Sequence, residues 1–138
     1  SRGLGDVYKR QVVVDPRSGF ANTERFEAQN IIEEWPDTAL AEICIDRRTA
    51  IVLLTHDPKL DDPALEIALN SNAFYIGALG SVKTHTARLE RMKKLGFASE
   101  SLNKISGPIG IDIGATNPSE IAISIIAEII SKLRQAKK

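Results

Sequence analysis

The sequence predicts an α/β fold, a doubly wound parallel sheet with helices on both faces. Three observations lead to it. Short strand-like segments alternate with helical ones along most of the chain. The strand-like segments are near-continuous apolar runs, as expected where a parallel sheet is covered on both sides. The helical segments open on cap residues and end on glycine or basic side chains. The size agrees: 138 residues, 43% of them hydrophobic, suffice for one packed core.

The elements follow in chain order. Residues 1–11 show neither helical nor strand periodicity. Their Gly3-Leu-Gly5 has no strand before it, and Tyr8 stands where a dinucleotide loop would place its third glycine. This run reads as translated adapter sequence and is set apart from a domain over 12–138. Val12-Val13-Val14 is a β-branched strand running into an Asp15-Pro16 turn, and Ile31-Ile32 is a second short strand. Asp37 is expected to cap a short helix over 37–42. Ala50–Leu54 is the clearest strand; Asp61-Asp62-Pro63 is expected to open a helix to about Asn70. Phe74–Ile76 is strand-like, and Ser81 caps a helix that Gly96 stops near Leu95. Ile109, Ile111 and Ile113 alternate with Gly110, Asp112 and Gly114, the period of a strand. The last helix carries the clearest signals: Asn117 as cap, Pro118 at the first position and Glu120 three residues after the cap. Its expected inner face is Ala122, Ile125, Ile126, Ile129, Ile130 and Leu133, with Ser124 and Glu128 opposite.

Composition narrows the function. Eighteen basic residues balance eighteen acidic ones, so nothing calls for nucleic acid or an anionic membrane surface. The apolar runs fall far short of the about 20 residues of a membrane span. Cys44 is the single cysteine, so no internal disulfide forms; this fits a reducing compartment, and a cytoplasmic location is expected. Within Ile43-Cys44-Ile45 its thiol is expected to be buried and inert. The only methionine is Met92, so the chain is expected to be a piece of a longer protein.

In open α/β sheets ligands bind beyond the carboxyl ends of the strands, and that rule selects four places. Asp15 is placed to bond a ribose hydroxyl, with Arg17 near a phosphate; equally, Asp15 organises a turn. In Thr55-His56-Asp57-Pro58, one histidine among aspartates suggests metal, yet adjacent extended side chains diverge and His85 is the only other histidine, so turn and cap roles are favoured. His56 also suits proton donation to a ligand. Gly77-Ala78-Leu79-Gly80-Ser81 joins strand to helix, and its backbone N–H groups can meet an anion; a tight capped turn is the simpler reading. Asp112, on a glycine-lined strand face, is costly to bury unless it pairs with a base or a ligand. The helix after Ser81 carries Lys83, Arg88, Arg91, Lys93 and Lys94 against Glu90, a pattern that usually marks a solvated face. Asp15, Arg17, Thr55, His56, Asp57, Gly77, Gly80, Ser81 and Asp112 are thus the candidate cofactor-binding residues; no catalytic or metal-ligating residue is assigned.

Several longer motifs carry a resemblance. They are Val13-Val14-Asp15-Pro16-Arg17, Phe20-Ala21-Asn22 with Arg25-Phe26, Thr55 to Leu65, Tyr75 to Ser81, and Pro108 to Ala115 followed by Pro118, Glu120 and Ile121-Ala122. In this order they resemble the C-terminal Rossmann-like domain of the xanthine dehydrogenase accessory factors, the XdhC/CoxI family, over about residues 12–134. The resemblance implies a maturation factor for molybdenum hydroxylases, a chaperone rather than a catalyst. It would bind molybdenum cofactor (molybdopterin), assist its sulfuration and deliver it to the apoenzyme, with a cysteine desulfurase as second partner. The pterin phosphate or a nucleotide would lie near the strand ends. Two other classes stand beside it: an NAD(P)-dependent oxidoreductase relying on Asp15, and a metal-dependent hydrolase relying on His56 and Asp57.

By the resemblance, family members also carry an N-terminal domain, a linker, and a first strand with a Gly-rich loop, and this chain is expected to lack them. The first strand is central in the order 3-2-1-4-5-6. The strands at Val12 and Ala50 are then expected to lack their shared neighbour, leaving a chain that is poorly stable or self-pairs as a homodimer. A broad thermal transition with apolar-dye binding is the expected result; a monomer with a sharp, dye-silent melt would contradict it.

Overall fold

The computed structural model describes residues 12–14, 30–32, 35–55 and 57–136. Two compact units divide the chain, Ser1–Cys44 and Ile45–Lys138. In the first, β1 (Val12–Val14) runs parallel to β2 (Asn30–Ile32), with Val12 opposite Asn30 and Val14 opposite Ile32. The helix α1 (Pro36–Glu42) follows. Trp35, not Asp37, is its N-cap residue, and no side chain caps it; Pro36 takes the first position, where its missing N–H costs nothing. Cys44 is exposed, against the expectation of a buried thiol: it follows α1 in irregular chain rather than in a core strand. The turn at Asp15-Pro16 and the run 1–11 lie outside the described residues.

The second unit is built on a three-stranded parallel sheet, β3 (Ala50–Leu53), β4 (Tyr75–Ala78) and β5 (Ile105–Ser106), in that spatial order. Val52 lies opposite Gly77, and Gly77 opposite Ser106. The helix α2 (Pro58–Leu69) joins β3 to β4, while α3 (Val82–Lys94) and the short α4 (Ser99–Leu102) join β4 to β5. The chain ends in α5 (Pro118–Ala136). Pairings in both sheets are those that the order 3-2-1-4-5-6 gives to strands two and three and to strands four, five and six.

Burial explains the second unit. Leu60, Ala64, Leu65, Ala68 and Leu69 recur at helical spacing along α2 and are buried together with Ile51, Leu53, Tyr75, Ile76 and Ala78 of the sheet. Met92 adds the inner side of α3, and Leu102, Ile105 and Ile109 close the far end. Gly77 is part of this packing: a Cβ there would sit 2.5 Å from Ile109 Cδ1 and 2.6 Å from the Tyr75 hydroxyl. Among the described residues no helix is long and apolar enough to cross a membrane.

Three expectations shift. The helix α2 begins at Pro58, a turn earlier than Asp61-Asp62-Pro63 suggested, because Asp57 caps it by accepting the Lys59 N–H at 3.0 Å. Pro63 then falls inside the helix. The strand expected over Ile109–Ile113 is a loop, and β5 lies before it. Gly110 and Gly114 take φ of 96° and 73°, which no extended strand tolerates, and Pro108 has no N–H for a ladder. Only the Ile109 N–H continues the sheet, donating to Ala78 O at 3.2 Å.

The third shift is the rotation of α5. Ser124 is buried and Ile121, Ile125 and Glu128 are half-buried, whereas Ile126 and Ile130, expected inside, are 37% and 40% exposed. The buried Tyr75 hydroxyl donates to Glu128 Oε1 at 2.6 Å, and the Gly110 N–H donates to the same oxygen at 3.2 Å. These two donors set which face turns inward, since leaving either unpaired costs about 1–3 kcal/mol. Burial, and next the Glu128 carboxylate, push the Tyr75 hydroxyl well above its usual pKa, so it remains a donor.

The Asn117 cap of α5 forms as expected, Asn117 Oδ1 accepting the Glu120 N–H at 2.9 Å, while Glu120 Oε1 reaches one residue further back than in a capping box and accepts the Thr116 N–H at 2.9 Å.

Two outcomes follow. Replacing Gly77 with Ala should lower the unfolding free energy by about 1–3 kcal/mol, because β4 and Ile109 cannot both stay in place; denaturant titration measures this. The Thr116 N–H, then the Thr116 hydroxyl, and also the Asn117 amide hold the Glu120 carboxyl below the usual range. A depressed folded pKa gives stabilisation that is full above the ordinary glutamate range and is lost as pH falls through the folded value. The gap in urea midpoint between the unsubstituted chain and Glu120→Gln should therefore be present at neutral pH and close in acid.

Candidate functional site at the strand ends

Because β3, β4 and β5 are parallel, their carboxyl ends share one edge of the sheet. The Leu79 N–H donates to Leu53 O at 2.9 Å, so the loops leaving β3 and β4 begin side by side. Thr55, Asp57, Gly80 and Ser81 stand on these loops, and Asp112 on the loop after β5. Gly77 lies within β4 itself. Asp15, Arg17 and His56 are outside the described residues.

After β3, the polar side chains serve the helix start. Thr55 Oγ1 donates to Asp61 Oδ1 at 2.8 Å and accepts the Asp57 N–H at 3.1 Å. Asp57, exposed, is the cap of α2. Asp61 is buried, and its hydrogen bond to Thr55 offsets the loss of water.

After β4, the backbone turns sharply. Gly80 has a φ of 139°, and a Cβ there would meet Thr84 Cγ2 at 2.9 Å, so only glycine is unstrained. Ser81 caps α3: its Oγ accepts the Thr84 N–H at 3.2 Å and lies 3.1 Å from Thr84 Oγ1. Residues 81–84 are exposed at the positive end of a 13-residue helix, whose first-turn N–H groups have no intrahelical partner.

Beneath this helix start lies a residue that the charge pattern does not single out. Arg88 is only 3% exposed; its NH2 donates to Leu79 O at 2.8 Å, and its NH1 to His85 Nδ1 at 3.2 Å. A guanidinium only donates, so Nδ1 accepts and the neutral imidazole carries its hydrogen on Nε2. Burial, and then the Arg88 charge, lower the His85 pKa, keeping it neutral at physiological pH. The expected solvated basic face is therefore partial. Lys83, Lys93 and Lys94 are exposed, but Arg88 braces the β4 loop from inside and Arg91 pairs with Asp62, Nε to Oδ2 at 2.6 Å. Spacing carries the signal: Arg88 is four residues before the buried Met92, on the same stripe.

Pro58, Asp61, Asp62, Thr84, Arg88 and Arg91 line a small cleft between α2 and α3. Two carboxylates offset two guanidinium groups there, so it selects neither anions nor cations. Among the described residues no three His, Cys, Asp or Glu side chains stand close enough to hold a metal.

After β5, Asp112 is exposed on an irregular loop and accepts the Gly114 N–H at 3.3 Å; the burial cost expected for a strand position does not arise. This loop is tied to α5 by the Gly110 bond to Glu128 and by Ile111 N–H to Ser124 O at 3.2 Å. Large apolar side chains stand out along this edge: Leu54 after β3 is 53% exposed, Val82 at the first position of α3 69%, and Ile111 and Ile113 after β5 42% and 53%. The strand-end edge thus combines a helix start, hydroxyls and exposed apolar surface.

Known proteins share this architecture. The family described as the XdhC Rossmann domain matches residues 4–129. Molybdenum cofactor insertion chaperone PaoD of Escherichia coli is 34% identical over 125 residues, 91% of this chain and 38% of that protein. A probable xanthine dehydrogenase subunit of Bacillus subtilis is 32% identical over 120 residues, 86% of this chain and 34% of that protein. The crystal structure of a xanthine dehydrogenase from Bacillus halodurans superposes with a TM-score of 0.75 at 30% identity, covering 90% of this chain and 35% of that one. The chain thus spans little more than a third of the length of these relatives. With the match running through the motifs at the ends of β3, β4 and β5, the chain belongs to the XdhC Rossmann-domain family.

Proposed function

We propose that this domain serves the maturation of molybdenum hydroxylases of the xanthine dehydrogenase type, holding molybdenum cofactor as cargo at the carboxyl ends of β3, β4 and β5. The observation that carries the reading is the turn from β4 into α3. Gly80 lets the backbone turn sharply, Ser81 and Thr84 supply hydroxyls, and Val82 and Lys83 are exposed at a helix start, where first-turn N–H groups have no intrahelical partner. A helix start of this kind suits the phosphate of the pterin, and the exposed Lys83 adds a positive charge. Leu54 and Ile111 offer apolar surface to the ring system. The names of the relatives support the cargo and the class of client. Thr55, Asp57 and Asp112 flank this edge as further contacts, and Gly77 supports it from within the sheet; Asp15, Arg17 and His56, outside the described residues, are proposed as binding residues from the sequence alone.

In this reading the domain performs no bond chemistry of its own. It binds and orients the cofactor, shields it, and passes it to the apoenzyme; sulfuration involves a cysteine desulfurase as partner, and the work takes place in the cytoplasm. His85, neutral beneath the loop, contributes a donor rather than a charge.

The substitution Ser81→Asp tests the site, because aspartate caps a helix as well as serine does while adding a negative charge where the phosphate would lie. Helix content and melting temperature should hold. The affinity for isolated molybdenum cofactor, followed by pterin fluorescence, should fall by about tenfold or more, the scale of one lost charged hydrogen bond. Equal binding by both proteins would remove the phosphate from α3, and no binding by the unsubstituted chain would remove the cargo.

A further inference from the structure

The rotation of α5 leaves an apolar seam facing outward. Ile123, Ile126 and Ile130 are 60%, 37% and 40% exposed, and half-buried Leu133 continues the line. Their spacing of three, four and three residues is that of a two-helix seam, running along most of a 19-residue helix. Glu128, which bonds to the sheet, occupies the position of the heptad farthest from this seam. The seam therefore points away from the core of its own unit.

The geometry points to a second copy of this chain as the occupant, its α5 packed antiparallel on the first. The charges beside the seam carry that choice. Glu120, Ala127 and Arg134 recur every seven residues along one edge of it. In an antiparallel pair this edge faces the same edge of the other helix, so Glu120 of each copy meets Arg134 of the other. The core agrees in the same register: Ile123 falls opposite Leu133, and Ile126 opposite Ile130. A parallel pair would break this match, setting Glu120 beside the other Glu120 and Arg134 beside the other Arg134. Glu120 stays ionised for this role, since the bonds that depress its pKa come from its own cap. With a net charge of zero, no long-range repulsion opposes the encounter. A closed two-fold contact also satisfies both seams at once.

Cysteine pairing in the full chain decides the register. In a Cys44→Ser background, Ile123→Cys and Leu133→Cys chains are oxidised separately and then as a mixture. The mixture should give a disulfide-linked dimer, and each chain alone should not, because in the antiparallel register like positions lie about 15 Å apart along the axis. Light scattering of the unsubstituted chain should show a dimer that grows with concentration, and Ile126→Glu should abolish it without changing the melt. If Ile126→Glu unfolds the chain, the cysteine mixture still decides. Self-linking of either cysteine chain, a dimer that survives Ile126→Glu, or a chain monomeric at every concentration would each overturn the proposal, the last assigning the seam to another partner.

Discussion

The second unit depends on one carboxylate. Glu128 reaches from α5 to accept the hydroxyl of a buried tyrosine in β4 and the backbone N–H of Gly110 in the loop after β5. Strand, loop and last helix meet at that oxygen. Removing it would leave the Gly110 N–H without its partner and the buried Tyr75 hydroxyl with only Ser106 beside it, a larger penalty than a typical hydrogen bond contributes. The helix therefore turns its polar side inward. Ser124, beside Gly110, returns its hydroxyl to Ile121 O at 2.7 Å, and a residue without a side chain is needed at Gly110 to fit against it. The isoleucines left outside are a consequence of this choice and not a packing failure.

The same principle governs the strand ends, where most polar side chains are already engaged. Thr55 and Asp57 close the start of α2, Ser81 closes the start of α3, and Arg88 secures the carbonyl of Leu79 from beneath. What remains open to a ligand is largely backbone: the first-turn N–H groups of α3 and the loop carrying Asp112. An edge built this way offers backbone donors rather than free acid–base side chains, which supports the proposed carrier role. Arg88 shows how the loop is kept rigid. Its Nε is buried without a hydrogen-bond partner, and burial lowers the guanidinium pKa, so its position is held at some cost to stability.

The sequence is most legible where structure is local. Caps obey short-range rules, so Ser81, Asn117, Pro118, Glu120 and Gly96 are all identifiable from their neighbours. Apolar runs in a parallel sheet are similarly plain, and the strands at Val12, Ile31, Ala50 and Tyr75 lie within a few residues of where those runs place them. What the sequence hides are partnerships over distance. The pairing of Tyr75 with Glu128 spans 53 residues, and without it the isoleucine-rich side of α5 is the natural choice for the core. At Ile109–Ile113, alternation with Gly110, Asp112 and Gly114 imitates a strand, but the two glycines take positive φ. Asp57 is masked as a cap because Asp61-Asp62-Pro63 offers a stronger local pattern a turn later. Of the candidate site, the strand-end rule locates the edge, but which polar groups are already engaged depends on tertiary contacts.

Glu128 also links the two surfaces that the fold presents. The loop with Ile111, Asp112 and Ile113 is fastened to α5 at two points, Gly110 to Glu128 and Ile111 to Ser124 O. Both anchors lie on the inner side of α5, within the same two turns as Ile123, Ile126 and Ile130 on its outer side. A helix is stiff over two turns, because each backbone bond spans the next residues along. The loop, the outer seam and β4 are therefore joined through the same two turns of helix, since Glu128 also holds the Tyr75 hydroxyl.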